Sequence, residues 1–595
     1  MATNTVSDQL VARLAEWGVH RVFGYSGDGI NGVMGALRRQ QQTIDFVQVR
    51  HEELAAFMAT AHAKFSGEVG VCIATSGPGA IHLLNGLYDA VADHQPVVAI
   101  VGQQARSALG GDYQQEVDLV SLFKDVAHEY VQMVTVPAQL RHAVDRAMRI
   151  AIERRSVTCL ILPNDLQELE AVPVPPREHG SLHTGIGTTF GSRLPDASAL
   201  ERAAEVLNAG ERVAMLVGAG ALGAEAEVLA VADRLGAGIA KALLGKMAVP
   251  DALPFVTGSI GLLGTQASWE LMERCDTLLM VGSNFPYAEY LPKEGQARGV
   301  QIDIDGRRLS LRYPMEVNLV GGSAETLRAL LPLLKPRPNT VWRDEIARHV
   351  KHWWEALEAR AMSEAKPINP QRVFWELSPR LPSDSIVTCD SGTVAAWYAR
   401  DLQARSGMMG SLSGGLASMG CAMPYALAAK EQHPGRPVTA LVGDGAMQMI
   451  GINALVTVAA RWRRWSDPRL VVMVLNNGDL NMVTWEQRGT EGDPKFEASQ
   501  DLPPFDYAGY ARMLGLHGRR VERPDEIGVA WELAYAADRP TLLDMVTDPS
   551  VPPLPPHIAG KQIRAYISAL THRDPEALQV IVSTAREWWK GRFGG

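Results

Sequence analysis

Cysteine is scarce in this chain. Its five residues (Cys72, Cys159, Cys275, Cys389 and Cys421) are scattered over 595 positions, odd in number and without a C-x-x-C pair. That usage excludes a disulfide scaffold and predicts buried free thiols in a reducing compartment. Long apolar runs are missing as well: none approaches the ~18–20 residues that a membrane span needs. The opening residues, MATNTVSDQL, hold no basic stretch followed by an apolar one, so no secretory signal is expected and the chain reads as cytoplasmic. Basic charge is not in excess. Lys and Arg number 57 against 66 Asp and Glu, a net charge of −9, which offers no electrostatic footprint for nucleic acid. Aromatic residues are few at 6%, yet 46% hydrophobic and 21% charged residues describe a globular protein able to bury cores, and exclude disorder.

Length allows two to four domains at ~150 residues each. Three proline-rich stretches punctuate the chain: Val172-Pro-Val-Pro-Pro176, Lys335-Pro-Arg-Pro338 and Val551-Pro-Pro-Leu-Pro-Pro556. Such stretches favour extended connectors, so domains are expected near 1–185, 186–345 and 346–548, followed by a tail, 549–595. Each piece repeats one pattern of apolar run, glycine loop, helical periodicity and second apolar run. The runs are Val69–Ala74 and Pro96–Val101, then Val213–Val217, then Val438–Val442 and Leu470–Leu475. Continuous apolar runs alternating with helices read as buried parallel strands. The expected fold class is α/β, with three doubly wound parallel-sheet domains that bind ligands at strand carboxyl ends.

The glycine loops differ in what they predict. Gly218-Ala-Gly220-Ala-Leu-Gly223 fits a dinucleotide fingerprint, but Ile239-Ala-Lys241 stands where the ribose-binding acid belongs, which favours a tight turn over NAD. No P-loop occurs. Gly443-Asp444-Gly445 follows one buried strand and Asn476-Asn477 follows the next. Asp and Asn at neighbouring strand ends are hard oxygen ligands suited to Mg²⁺, and glycine lets backbone amides approach an anion. A metal-bridged diphosphate is the natural content.

This pair resembles the signature of the thiamine diphosphate enzymes. The resemblance makes Asp444, Asn477 and the backbone carbonyl of Asp479 the metal ligands. The Asp444–Asn477 spacing is longer than usual, and the excess falls in the basic, Trp-containing Ala460–Arg469, read as a solvated loop. Val49-Arg-His-Glu-Glu-Leu-Ala-Ala56 looks like the segment bearing the cofactor-activating glutamate, here Glu52, which promotes the imino tautomer that takes the C2 proton. Gly77-Pro-Gly79-Ala-Ile-His82 and Asp93-His-Gln-Pro96 are similar to the pyruvate oxidase branch, where His82 lies near the reacting centre. Leu416–Pro424 resembles the stretch whose bulky residue, Met419, bends the cofactor. By the same resemblance Ser26, Gly27, Asp390, Gly392, Thr393, Gly443, Gly445, Ala446 and Val483 face the cofactor, and Gln115 joins the catalytic set.

Gly478–Arg488 places Val483 and Glu486 as pyruvate oxidases do, whereas acetohydroxyacid synthases have tryptophan at the glutamate's place and Trp485 sits one position early. Gln114 replaces an apolar pocket wall, so the 2-oxo acid is pyruvate or something larger. Gly220, Gly261, Thr265, Asn284, Phe285, Asp303 and Asp305 look compatible with FAD. Ala288 and Gly322 depart from the quinone-linked pattern of arginine and acid. The resemblance implies a decarboxylating enzyme using thiamine diphosphate, Mg²⁺ and FAD; a non-redox carboligase of acetolactate synthase type stays open, and Glu52, Asp444 and Asn477 together argue against an inactive homologue. It also implies a homodimer or homotetramer with sites between subunits. In the tail, Asp574-Pro575-Glu576 starts a helix, with Leu578, Ile581, Val582, Ala585, Trp588 and Trp589 on one stripe and Arg586, Lys590 and Arg592 near its end. That stripe either docks on the protein or touches a membrane surface.

Overall fold

Apolar runs without polar alternation must be covered on both faces, and the chain meets this with parallel strands between helices. The computed structural model describes residues 4–187, 191, 193–337, 341–556, 560–571, 574–577 and 579–585. The first sheet holds β1 (Arg21–Gly24), β2 (Asp45–Gln48), β3 (Gly70–Ala74), β4 (Val97–Gln103), β5 (Val131–Met133) and β6 (Val157–Pro163). The second holds β7 (Val213–Val217), β8 (Gly238–Lys241), β9 (Val256–Ser259), β10 (Thr277–Val281), β11 (Arg298–Asp303) and β12 (Val317–Val320). The third holds β13 (Ile386–Cys389), β14 (Met409–Ser411), β15 (Val438–Gly443), β16 (Leu470–Asn476), β17 (His517–Val521) and β18 (Thr541–Val546). Their orders are β2-β1-β3-β4-β6-β5, β12-β11-β10-β7-β8-β9 and β14-β13-β15-β16-β18-β17. Every pairing is parallel. The fold is three doubly wound α/β domains.

Winding reverses once in each sheet, between β1 and β3, β7 and β10, and β13 and β15. Loops leaving such a pair diverge and open a crevice. They carry Ser26–Gly27 with Gly77, Gly218–Gly220 with Asn284, and Asp390–Thr393 with Gly443–Gly445. The glycine patterns of the sequence therefore fall where open sheets bind ligands.

The first and third domains share a core. Helices α1 (Glu52–Ser66) and α2 (Leu84–Ala92) meet α3 (Ala422–Gln432), and Phe57, Leu87, Tyr425, Leu427 and Val442 pack in one cluster. Gly86 lets α2 press on α1, since a Cβ there would lie 2.6 Å from the Phe57 amide nitrogen. Ala460–Arg469, expected to be a solvated loop, is instead turned onto this seam: Arg461, at the end of α4 (Ile452–Arg461), pairs with Glu431 and Asp45, and Arg464 pairs with Asp45. The second domain is pinned to the third by buried charge. Lys241, standing where a dinucleotide-binding acid would be, lies 2.5 Å from Asp251, which accepts from the Ala404 amide at 2.8 Å. The helix Val341–Ala361 buries Trp342, Ile346, Val350, Trp353 and Leu357 in the second sheet's core, so that core runs past residue 345. All five cysteines are free and buried. Among the described residues no helix is long and apolar enough to cross a membrane.

Helix α1 carries an acid-sensitive point. His62 is buried with Nδ1 unpartnered, and burial, with the nearby charges of Arg21, His20 and His433, pushes its pKa from 6.5 down to about 3. A folded value below the unfolded one means that neutral His62 contributes stability fully above the unfolded pKa. That contribution is lost as pH falls toward the folded value, by up to ~1.4 kcal/mol per pH unit. Melting temperatures taken between about pH 7 and 4 should fall less steeply in His62→Leu, by roughly one proton's share. An unchanged slope would place the acid lability elsewhere.

Candidate active site

The half-site expected to hold a metal lies at the ends of β15 and β16. Asp444 is buried, and its carboxylate accepts from the amides of Gly445 (2.9 Å), Asn477 (2.8 Å) and Gly478 (2.7 Å). Among the described residues no Lys, Arg or His stands within ion-pair distance of it. Burial pushes its pKa up to about 7, the amide hydrogen bonds opposing; a divalent cation beside it would favour the charged form. The side chain of Asn476 is spent on Asp544 (2.8 Å). Asn477 Oδ1 accepts from the Asp479 amide at 3.0 Å. The Asp479 carboxylate accepts from Thr484 Oγ1 and Asn481 Nδ2, both at 2.9 Å, with Lys495 Nζ at 3.3 Å. Asp479 can therefore offer a metal only its backbone carbonyl. An uncompensated buried carboxylate among hard oxygen donors fits Mg²⁺.

Space for a diphosphate is built from glycine. Gly392 has φ +100° and, like Gly443, no atom within 4 Å of where a Cβ would be. Gly445 is closed in, its Cβ position lying 3.2 Å from Met419 Cε and 2.7 Å from Leu480. Thr393 begins the helix Thr393–Arg400, and Ala446 lies buried beside Gly445. Asp390 is engaged differently from its expected cofactor contact. Its buried carboxylate accepts from the amides of Ser391 (2.9 Å), Gly420 (2.7 Å) and Ala422 (3.3 Å), and so supports the loop bearing Met419.

The second half lies at the start of α1. His51 caps the helix, accepting from the Glu53 amide at 3.3 Å, and leaves Glu52 in the first turn. Glu52 is 7% exposed, and its Oε2 meets His82 Nδ1 at 2.9 Å. The rings of His51 and His82 stack at 4.4 Å. Gly79 leaves room beside Glu52 Oε1, since a Cβ there would come within 3.1 Å. Ser26 is exposed, and Gly27 lies close against Thr75. Gln115 (φ +61°) lies over Gly77, whose Cβ would meet it at 2.9 Å. Among the described residues no hydrogen bond or ion pair joins Glu52 or His82 to Asp444, Asn477 or Asp479.

These two half-sites, with a helix-capped glutamate on one and a G-D-G/N-N oxygen cradle on the other, coincide with the comparisons to known proteins. Three family models match: the thiamine pyrophosphate enzyme N-terminal TPP binding domain over residues 4–122, the central domain over 200–330, and the C-terminal TPP binding domain over 390–545. The chain is a thiamine pyrophosphate enzyme. It is 34% identical to a putative thiamine pyrophosphate-containing protein of Bacillus subtilis over 568 residues, 95% of each chain. It is 29% identical to a pyruvate oxidase of Lactiplantibacillus plantarum, covering 91% of this chain and 89% of that one. An acetolactate synthase isozyme 2 large subunit of Escherichia coli is 30% identical, with 91% and 97% covered.

In this thiamine pyrophosphate enzyme the residues expected on the substrate side lie on α5 (Asn481–Glu486). Val483 is 50% exposed and Glu486 is open to solvent, with desolvation by neighbouring atoms pushing its pKa up. Trp485 points the other way, stacking on Tyr566 of α6 (Gly560–Thr571) at 6.0 Å. The tail continues this docking. Arg488, fully buried, makes a two-pronged pair with Asp574 (2.7 and 2.9 Å) and reaches Glu576 at 2.9 Å, while Lys495 spans Glu576, Asp501 and Asp479. Of the expected stripe, Ile581, Val582 and Ala585 are exposed, and Val580 beside them is buried. Leu578, Arg586, Trp588, Trp589, Lys590 and Arg592 lie outside the described residues. Asp574→Ala should cost about 3 kcal/mol in denaturant unfolding, because a buried guanidinium loses its main partner; a loss under ~0.5 kcal/mol would show that the tail does not hold the body.

The flavin-compatible crevice is partly free. Asn284 Oδ1 is buried without a partner, and Asp303 is buried with its pKa raised by desolvation. Phe285 packs over Gly261, and Gly220 lies against Gly282. Thr265 is spent capping a helix at Ser268 and donating to Thr257, and Asp305 is spent on Arg307. Lys495 and Asn85, which donates to both Glu53 and Ser418, were not singled out in the sequence; Asn85 lay inside a quoted motif, Lys495 carried no local signal, and Asp574 was read as a helix start with no sign of its pair to Arg488.

Proposed function

We propose that this enzyme decarboxylates a 2-oxo acid, pyruvate or a larger analogue, with thiamine diphosphate and Mg²⁺, and passes the electrons to FAD. The observation that carries this reading is the turn of α5, which sends Trp485 into the tail and leaves Glu486 on the open side. Bound thiamine diphosphate supplies a carbon nucleophile and an electron sink for decarboxylation. Glu52 presents Oε1, the oxygen that His82 leaves free, to a bound base, in a low-dielectric setting that strengthens a hydrogen bond made there. Asp444, Asn477 and the Asp479 carbonyl hold Mg²⁺, and Gly392 and Gly443 leave the diphosphate its space. Met419, beside Gly445, is the side chain against which the cofactor bends. Glu486, raised in pKa, can hold a proton near the substrate carboxyl. Asn284, and the Asp303 oxygen that the Asp305 amide does not use, are the groups left to hold FAD.

The half-sites complete one another across a homodimer. Large apolar side chains stand exposed beside both: Tyr25, Ile81 and Tyr113 near Glu52, and Leu416, Met449 and Val483 near Asp444. Apolar patches of this kind mark an interface.

Carboligation without electron transfer is the second reading, favoured by Thr265 and Asp305 being engaged elsewhere and by Ala288 in place of arginine. The visible spectrum of the purified protein separates the two. Flavin bands that bleach on anaerobic addition of pyruvate support the oxidase; no bands, or unbleached bands with acetolactate formed, support the carboligase and overturn the oxidase.

A further inference from the structure

The loop bearing Met419 is gripped by the first domain, although it belongs to the third. Asp93, just past the end of α2, directs a buried carboxylate at it, accepting from the Gly414 amide at 3.0 Å and the Gly415 amide at 2.6 Å. Lys64 of α1 lies 2.5 Å from the same carboxylate and donates to the Leu412 carbonyl at 2.7 Å. Asn85 of α2 donates to Ser418 Oγ at 2.9 Å and, with its other hydrogen, to Glu53 Oε1 at 2.6 Å. Ser418 in turn donates its amide to Ser413 Oγ. Gly415 passes so near the end of α2 that a Cβ would lie 2.7 Å from the Ala92 carbonyl.

A buried ion pair is expensive unless its remaining donors and acceptors are satisfied. In the Lys64–Asp93 pair they are satisfied on loop backbone, so the free energy of the pair is tied to one loop conformation. That conformation is strained. Ala417 sits at φ +55°, a left-handed setting that costs a residue with a Cβ about 1 kcal/mol or more. The bonds on either side of Ala417 hold it there, two residues before Met419.

We propose that Asp93, with Lys64 and Asn85, is a positioning residue for the cofactor: the first domain sets how far Met419 of its own chain stands from Gly445. This rests on the reading of Met419 as the side chain that bends thiamine diphosphate. Helix α1 then has two duties. Its start presents Glu52 to one half-site, and through Glu53, Asn85 and Lys64 it fixes the wedge of the other.

The test uses the full-length enzyme reconstituted with Mg²⁺ and thiamine diphosphate, with two readouts: cofactor Kd by calorimetry, and the rate of deuterium exchange at C2 of the bound cofactor by quenched NMR. Asp93→Asn should leave Kd within about threefold and slow exchange by about tenfold or more, as a displacement near an ångström does. Met419→Ala supplies the reference. The double variant should exchange no more slowly than the slower single variant, because both changes act through one loop. Ser418→Ala, which removes the acceptor for Asn85 and the hydroxyl's 3.4 Å bond to the Met419 carbonyl, should slow exchange in the same direction by less, and it stands in if Asp93→Asn does not fold. Additive slowing in the double variant, or wild-type exchange in Ser418→Ala and in folded Asp93→Asn, overturns the positioning role alone. Wild-type exchange in Met419→Ala overturns the wedge reading, and this inference with it. Failure of the wild-type protein to bind thiamine diphosphate would instead sink the reading of the whole site.

Discussion

Glu52→Gln should leave thiamine diphosphate bound and cut turnover by about two to four orders of magnitude, roughly 3–5 kcal/mol of barrier. The amide fills the same space beside Gly79 and keeps a partner in His82, so the pocket's shape survives. What it cannot do is hold or release an acidic proton at Oε1. The effect should therefore appear in kcat, with cofactor Kd changed little. A turnover within about threefold of wild type would remove Glu52 from the mechanism.

The second large effect is expected at Asp444. Asp444→Ala deletes the carboxylate and leaves three amides, of Gly445, Asn477 and Gly478, facing a void. Binding of thiamine diphosphate should lose its dependence on Mg²⁺ and weaken by at least about a hundredfold, as removal of a charged metal ligand does. Asn477→Ala should follow in the same direction. Asn476→Ala should be milder, since that side chain is committed to Asp544. Equal Mg²⁺ dependence in wild type and Asp444→Ala would put the metal elsewhere. The two inactive proteins also test one another. If Glu52 and Asp444 meet only across a dimer, subunit exchange between Glu52→Gln and Asp444→Ala should restore about a quarter of wild-type activity, since half of the dimers carry one intact site in two. A mixture that stays inactive after proven exchange would mean that each site is built within one chain.

Much of this was legible in the sequence for simple reasons. Uninterrupted apolar runs have few ways to be buried, and a glycine loop after such a run falls at a strand's carboxyl end. G-D-G and N-N place hard donors one strand apart, which restricts their use. Residues whose role depends on distant partners were opaque. Lys495 meets Glu576 across 81 positions of chain and Arg488 meets Asp574 across 86, with nothing local to announce either. Asp390 was expected to face the cofactor because Asp390-Ser-Gly-Thr393 resembles a diphosphate-side loop, and its two oxygens are used by backbone amides 30 and 32 residues on. Of the tail stripe's described members, Ile581, Val582 and Ala585 are all exposed. Over only two or three turns, several apolar faces fit the same periodicity, and the pair to Arg488 selects the one that buries Val580.

The Arg488–Asp574 pair also bears on how the chain is made. All three sheets are complete by Val546, so a ribosome that stops shortly afterwards releases something with every domain. That product would lack the anion that pairs with Arg488 and the helix that covers it, and would leave Lys495, beside Asp479, short of Glu576. Through these pairs, residues that follow all three sheets tie down the loop beside Asp479.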